Sequence, residues 1–429
     1  MMTHPIRSRI RPARVLAAIC LVSFTASLVV AVATPWGEAN DEPDHVRNVE
    51  TILGGHWYRI EEGAGFQPHQ PPLYYLGLAG FQKVMHVAPQ MPTMEYSKDQ
   101  PAGFRHDLSD DGAAQRFFML LRLPSLFLSV LTILLTAAIA KRVSRDPWTP
   151  VVAAAIVAFL PKFVFLSGVI NNDNLGTALA AAATLLATII VTTELTPRRY
   201  LLASAGLGAL AGLLAITKFS TLPLVAAFVV ALVVAPSRQP LRSLPAFATL
   251  FVATSGWWFA MNTSWYGDPL AKAAAEDHLR RLLPGLIDSF SKDRALVDVP
   301  QAVWSSFVYS SGWNQFEWPT WWYLPTWALI ALGLAGLVAR HRPQVGWRVM
   351  LTLGAIVFLA ASSIWLVAIN TTATQARIAF IGLPALATLV ALGYERLRLP
   401  VLTRFALPII GLVGVAVSLR HDVFGVFWT

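Results

Sequence analysis

The chain of 429 residues is long enough for two or three soluble domains, but it is 55% hydrophobic and 13% charged, with a mean hydropathy of +0.55. A soluble protein cannot hide that much apolar surface, so the composition reads as a membrane protein. The net charge of +9 does not call for nucleic acid, because about half of the basic residues fall in short connections between apolar runs. One cysteine, Cys20, excludes an internal disulfide framework and a cysteine-rich metal site.

Apolar runs able to span about 30 Å of hydrocarbon lie at roughly 15–33, 117–140, 151–170, 174–192, 200–217, 219–235, 244–264, 322–339, 349–369, 377–394 and 403–419. The expected fold is all-α and polytopic, with about eleven spans. The first run has a basic front and an Ala31-Val32-Ala33 exit, as a signal peptide would, but its apolar core is longer. It is therefore read as a retained span. Arg7, Arg9, Arg11, Arg14, Lys141, Arg142, Arg145, Arg198, Arg199, Arg238, Arg242, Arg340, Arg342, Arg348, Arg396, Arg398 and Arg404 all fall on one side, with only Asp146, Glu194 and Glu395 as acids. That bias predicts a cytoplasmic N-terminus, an extracytoplasmic C-terminus and a location in the cell membrane. The other side holds two long loops, 34–116 and 266–320. The sequence is expected to be one membrane domain (1–429) without a separate soluble domain.

Residues able to carry chemistry gather on the outer side. Asp41, Glu42, Asp44 and His45 follow the first span directly. A carboxylate there can act as a general base, or the cluster can simply be an acidic, solvated helix start. His69-Gln70-Pro71-Pro72 leads into an amphipathic helix over Leu73–Phe81, whose Tyr74 and Tyr75 read either as interface anchors or as rings that stack on a sugar. Asp173, within Asn171–Asn174, sits in a polar turn on the same side. Lys218 and Arg377 can snorkel to lipid phosphates or clamp a phosphate that leaves in a reaction. Lys162, about two turns inside the third span, needs a partner.

In this order the features resemble the GT-C superfamily of membrane glycosyltransferases, which includes protein O-mannosyltransferases and the aminoarabinose transferase of lipid A. The resemblance rests on Asp41-Glu42 after the first span, Pro71–Tyr75, Arg122–Ser125 at the second span and Asn172-Asp173 between spans three and four. Lys218 and Gln375-Ala376-Arg377 complete it, over about residues 15–395. It implies a glycosyltransferase that moves a hexosyl or pentosyl group from a polyprenyl-phosphate donor to an acceptor hydroxyl on the outer face, with inversion. Asp41 resembles the catalytic base, Glu42 its supporting partner and Asp173 a second acid; Lys218 and Arg377 resemble the cations facing the leaving phosphate. His69, Tyr74 and Tyr75 would line the pocket. The residue before the double proline, often His or Lys in the family, is here Gln70. Expected partners are the lipid-linked donor, an acceptor glycan, lipid or protein, and the bilayer, with no nucleic acid. No cofactor is required by this reading, although Asp41, Asp44, His45 and Asp173 offer oxygen and imidazole ligands to Mg²⁺ or Mn²⁺. Because the sequence ends at Thr429, soon after the last apolar run, acceptor recognition is expected from the two outer loops or from a partner protein. The competing readings are a flippase of lipid-linked sugars, a non-catalytic assembly protein and a polymer ligase using diphosphate-linked donors.

Overall fold

A computed structural model describes residues 11–39, 41–61, 65–88, 95–96, 104–105, 112–237, 240–282, 295–311, 317–338, 346–370 and 375–423. Asn40, Arg7, Arg9, Arg238, Arg340, Arg342 and part of the outer-loop segments therefore lie outside the described residues. The helices, in order, are α1 (Pro12–Ala33), α2 (Glu42–Leu53), α3 (Leu73–Val84), α4 (Gly112–Val143), α5 (Thr149–Ala158), α6 (Pro161–Ser167), α7 (Asn172–Thr192), α8 (Pro197–Ala215) and α9 (Leu224–Val234). They continue with α10 (Pro240–Tyr266), α11 (Lys272–Leu282), α12 (Ala295–Ser306), α13 (Leu324–Gly336), α14 (Trp347–Asn370), α15 (Leu383–Arg396), α16 (Val401–Arg404) and α17 (Ala406–Ser418). A 3₁₀ segment, Ala376–Gly382, runs into α15. A two-residue antiparallel pair, Glu95–Tyr96 with Phe104–Arg105, is the only strand pairing among the described residues.

Among the described residues each of the eleven apolar runs contains a helix, but they are not equal. Six helices among the described residues are long and apolar enough to cross a membrane: Pro12–Ala33, Gly112–Val143, Asn172–Thr192, Arg242–Tyr266, Trp347–Ala368 and Ala376–Arg396. The run at 151–170 is a broken span, in which α5 and α6 meet at 66°. Pro161 explains the break, since its ring cannot continue the helix and its nitrogen has no hydrogen to donate. Phe219–Val234 and Ala406–His421 are shorter apolar helices.

Helices approach closely where small residues meet. A Cβ on Gly393 of α15 would stand 1.6 Å from the Gly333 carbonyl of α13, so no larger side chain fits between them. The two ends of the bundle differ in chemistry. Arg142 donates to Thr192 at the C-terminus of α7, Glu395 accepts from Ser144 and Thr149, and Arg404 pairs with Asp146. The N-terminus of α7, some 30 Å away at 1.5 Å per residue, carries Asp173. The arginine-bearing connections thus close one end and the acidic motifs occupy the other.

Candidate active site

The site is assembled at the helix ends furthest from those arginines. Asn171 caps α7 by accepting the Asp173 amide at 2.8 Å, which starts the helix and places Asp173 in its first turn. A carboxylate there is favoured by the helix dipole. Asn174 donates to the carbonyls of Leu166 and Val169 and so holds the turn from α6. Lys218 follows the end of α8 and reaches back to Asp173 at 2.5 Å. Arg377, in the 3₁₀ segment before α15, lies 3.6 Å from Asp173 through Nε and pairs with Asp41 through Nη2. Asp41 precedes α2 with φ 65°, a left-handed conformation that turns its side chain away from that of Glu42. Four elements thereby supply an alternating row, Asp41, Arg377, Asp173, Lys218. The four side chains keep only 5–14% of their exposure, enough for access but within a poorly solvated, low-dielectric setting.

Electrostatics follow from that crowding. Burial pushes the Asp41 carboxyl up, but the attraction of Arg377 and its hydrogen bond, with smaller help from the other neighbours, more than offset it, so Asp41 is held below the usual carboxylate range. Burial pulls Lys218 down against the attraction of Asp173. His45 and His69 flank the row, and burial lowers them to about 3 and about 4, so both rings are neutral near pH 7. His45 shares a face with Asp41, four residues earlier; its amide bonds the Asp41 carbonyl and its Nδ1 meets the Tyr75 hydroxyl at 2.9 Å.

Glu42 is placed elsewhere. It is fully buried, and both its oxygens face Arg122 at 2.6 and 2.7 Å, with the Ile170 amide at 3.0 Å. Arg122 spends its remaining donors on the carbonyls of Ala31, Thr34 and Pro35, so all five N–H groups are satisfied. The pair therefore anchors the exit of the first span instead of facing the charged row. Arg122 stands inside the apolar run 117–140, and a lone cation there signals a buried acid partner. Tyr74 and Tyr75 are likewise buried, packed against His45 and, for Tyr75, Tyr58. With their faces covered they offer no platform for a sugar ring, and they are core residues of α3 rather than exposed anchors.

The four residues considered as metal ligands do not converge. Asp44 turns to Arg47 at 3.0 Å, His45 to Tyr75, and Asp41 and Asp173 to the two cations. Among the described residues no three His, Cys, Asp or Glu side chains form a group that could hold a metal ion.

The described helices between 266 and 320 contact both the segment after the first span and the approach to Arg377. His278 of α11 bonds the Gly65 carbonyl at 2.8 Å, and Ser306 of α12 accepts the Ala376 amide at 3.0 Å, immediately before Arg377. Gly65 lies so close to the Asp44–Arg47 pair that a Cβ would stand 1.6 Å from Asp44 Oδ1. Lys162 finds its partners here too: Nζ donates to the Ser310 carbonyl at 2.7 Å and bonds its hydroxyl at 2.9 Å. None of His278, Ser306 or Ser310 stands in a motif legible from sequence.

Residues 117–265 match the family described as dolichyl-phosphate-mannose-protein mannosyltransferase. No curated protein matches the chain in sequence. Among solved structures, ArnT from Cupriavidus metallidurans bound to undecaprenyl phosphate is similar at 15% identity and TM-score 0.55, covering 95% of this chain and 64% of that one. The oligosaccharyltransferase AglB from Archaeoglobus fulgidus, in complex with an inhibitory peptide and a dolichol-phosphate, is similar at 13% identity and TM-score 0.50, covering 94% and 55%. The chain thus spans a little under two thirds of the first relative and about half of the second. The chain therefore shares the fold of these two solved structures, and its residues 117–265 are similar to the mannosyltransferase family.

Proposed function

We propose that this protein transfers a hexosyl or pentosyl group from a polyprenyl-phosphate donor to an acceptor hydroxyl, at the bundle end that carries Asp41 and on the extracytoplasmic side of the cell membrane. The observation that carries this reading is the row Asp41, Arg377, Asp173, Lys218, two carboxylates alternating with two cations. A lipid phosphate competes with the carboxylates for Arg377 and Lys218. Once Arg377 turns toward phosphate, Asp41 loses the partner that depresses its basicity. The acceptor hydroxyl then gives its proton to Asp41 as its oxygen bonds the anomeric carbon. The bond from that carbon to the phosphate oxygen breaks, and its electron pair leaves with the phosphate, whose growing charge meets the two cations. A single displacement of this kind inverts the anomeric centre. Asp173 keeps both cations in place between turnovers, while Glu42 acts at a distance by holding Arg122 and the loop that presents Asp41. The acceptor, whether glycan, lipid or protein, approaches from the side of the two outer loops.

The test uses the purified chain in lipid nanodiscs with a panel of polyprenyl-phosphate sugars and hydroxyl acceptors. Release of polyprenyl phosphate together with a product of inverted anomeric configuration is expected. A product of retained configuration would contradict the single displacement. In sealed vesicles, movement of the donor across the bilayer with its sugar–phosphate bond intact would instead identify a flippase.

A further inference from the structure

The hydrogen bonds around Gln70 determine which nitrogen of His69 carries the proton. Asn172 Nδ2 lies 3.4 Å from the Thr217 carbonyl and 3.1 Å from Gln70 Oε1. A carbonyl only accepts, so the Asn172 amide nitrogen, not its oxygen, faces Thr217. The same nitrogen donates to Gln70, which must present its oxygen to Asn172 and its own amide nitrogen to His69. Gln70 Nε2 stands 3.1 Å from His69 Nε2. An amide nitrogen only donates, so His69 Nε2 accepts and the ring proton resides on Nδ1. Turning both amides over would set the Asn172 oxygen against the Thr217 carbonyl, two acceptors facing each other.

The Nδ1–H group that results is shielded from solvent and has no hydrogen-bond partner among the described residues. A buried donor left without an acceptor is costly, a cost recovered if a ligand supplies the oxygen. The chain from His69 through Gln70 and Asn172 to Thr217 ties the ring to the residues that directly precede Asp173 and Lys218 in the charged row. Asp41 is the first of the charged groups that act on it. The ring is neutral near pH 7, because burial holds it at about 4.

We propose that Gln70 is a positioning residue that locks His69 as the Nδ1–H tautomer, so that His69 offers a neutral hydrogen-bond donor to a sugar oxygen of the substrate bound beside Asp41. The proposal rests on the sugar-transfer reading and assigns a task to the position before the double proline. A neutral donor there orients a hydroxyl without adding a third cation to a site that already has two.

Nitrogen-15 spectra of histidine-labelled protein in bilayers, assigned with His69→Ala, read the tautomer directly. Wild type is expected to carry the His69 proton on Nδ1. In Gln70→Glu the new carboxylate accepts instead of donating, so Nε2 is expected to become protonated. A wild-type Nε2–H signal, or an unchanged tautomer in folded Gln70→Glu, would overturn the lock. In the transfer assay His69→Asn keeps an amide nitrogen near the Nδ1 position, whereas His69→Gln places it near Nε2. His69→Gln is expected to lose about tenfold more kcat/KM than His69→Asn, the equivalent of about 1.4 kcal/mol. Equal losses, or the reverse order, would overturn the donor role. The spectra remain decisive for the tautomer even if no sugar is transferred, which separates failure of this inference from failure of the proposed activity.

Discussion

Asp41 and Glu42 are consecutive, and their surroundings give them different work. The left-handed backbone at Asp41 aims its carboxylate at Arg377, while Glu42, one step on, points inward to Arg122. Such a backbone costs on the order of 1–3 kcal/mol for a non-glycine residue, and sites of function are where that cost is kept. Asp44 behaves differently again. Burial, countered by Arg47 and reinforced by Asp41, raises it from 3.8 to about 6. Because the folded value lies above the unfolded one, the protonated acid fits the fold better. Its contribution is fully present below pH 4 and lost as pH rises through 6. Asp44→Asn removes that loss, so thermal unfolding across pH 4–7 is expected to show the variant gaining on wild type by about 2–3 kcal/mol at the upper end. A stability difference that stays flat with pH would contradict the burial of this carboxyl. From sequence, the acids themselves were legible as a cluster, but their separate partners were not, because a helix start distributes adjacent side chains to opposite faces.

At the scale of elements, the broken span α5–α6 and the stretch at the end of α12 act as one unit. The backbone amide of Lys162 bonds the Val308 carbonyl at 2.9 Å, and its ammonium reaches Ser310, so the loop is stapled to the break at Pro161. The same stretch then reaches Arg377 through Ser306 and Ala376. Lys162→Met keeps the bulk of the side chain but removes the charged donor. Hydrogen bonds to charged groups contribute about 1.5–3 kcal/mol each, so a lowered Tm and faster amide exchange over 305–311 are expected. Unchanged exchange there would mean that the loop is held by other contacts. The buried lysine was visible in the sequence as an oddity, and Pro161 already marked the break. Its partner was not legible, since Ser310 is almost 150 positions away and serines carry no signal of their own.

For the whole molecule, apolar runs and the side bias of basic residues were enough to read a polytopic helical bundle, and the contacts place the arginines and the acidic motifs at opposite ends. What hydropathy could not separate was full spans from shorter or broken ones, because length in sequence says nothing about a bend. The two-ended arrangement makes a direct topological prediction. In a Cys20→Ala background, single cysteines at His56 and Arg145, both exposed positions, are expected to react oppositely with an impermeant maleimide on intact cells. His56→Cys should label from outside and Arg145→Cys only after lysis. Labelling of both from outside would contradict the bundle's polarity, and a swapped pattern would put the charged row on the cytoplasmic face. The most direct test of the central claim returns to that row. Asp41→Asn, folded and inserted as wild type, is expected to bind the polyprenyl-phosphate sugar yet transfer it about 10²–10⁴-fold more slowly, the range for loss of a general base. Transfer at the wild-type rate would contradict Asp41 as the base and with it the chemistry assigned to this site.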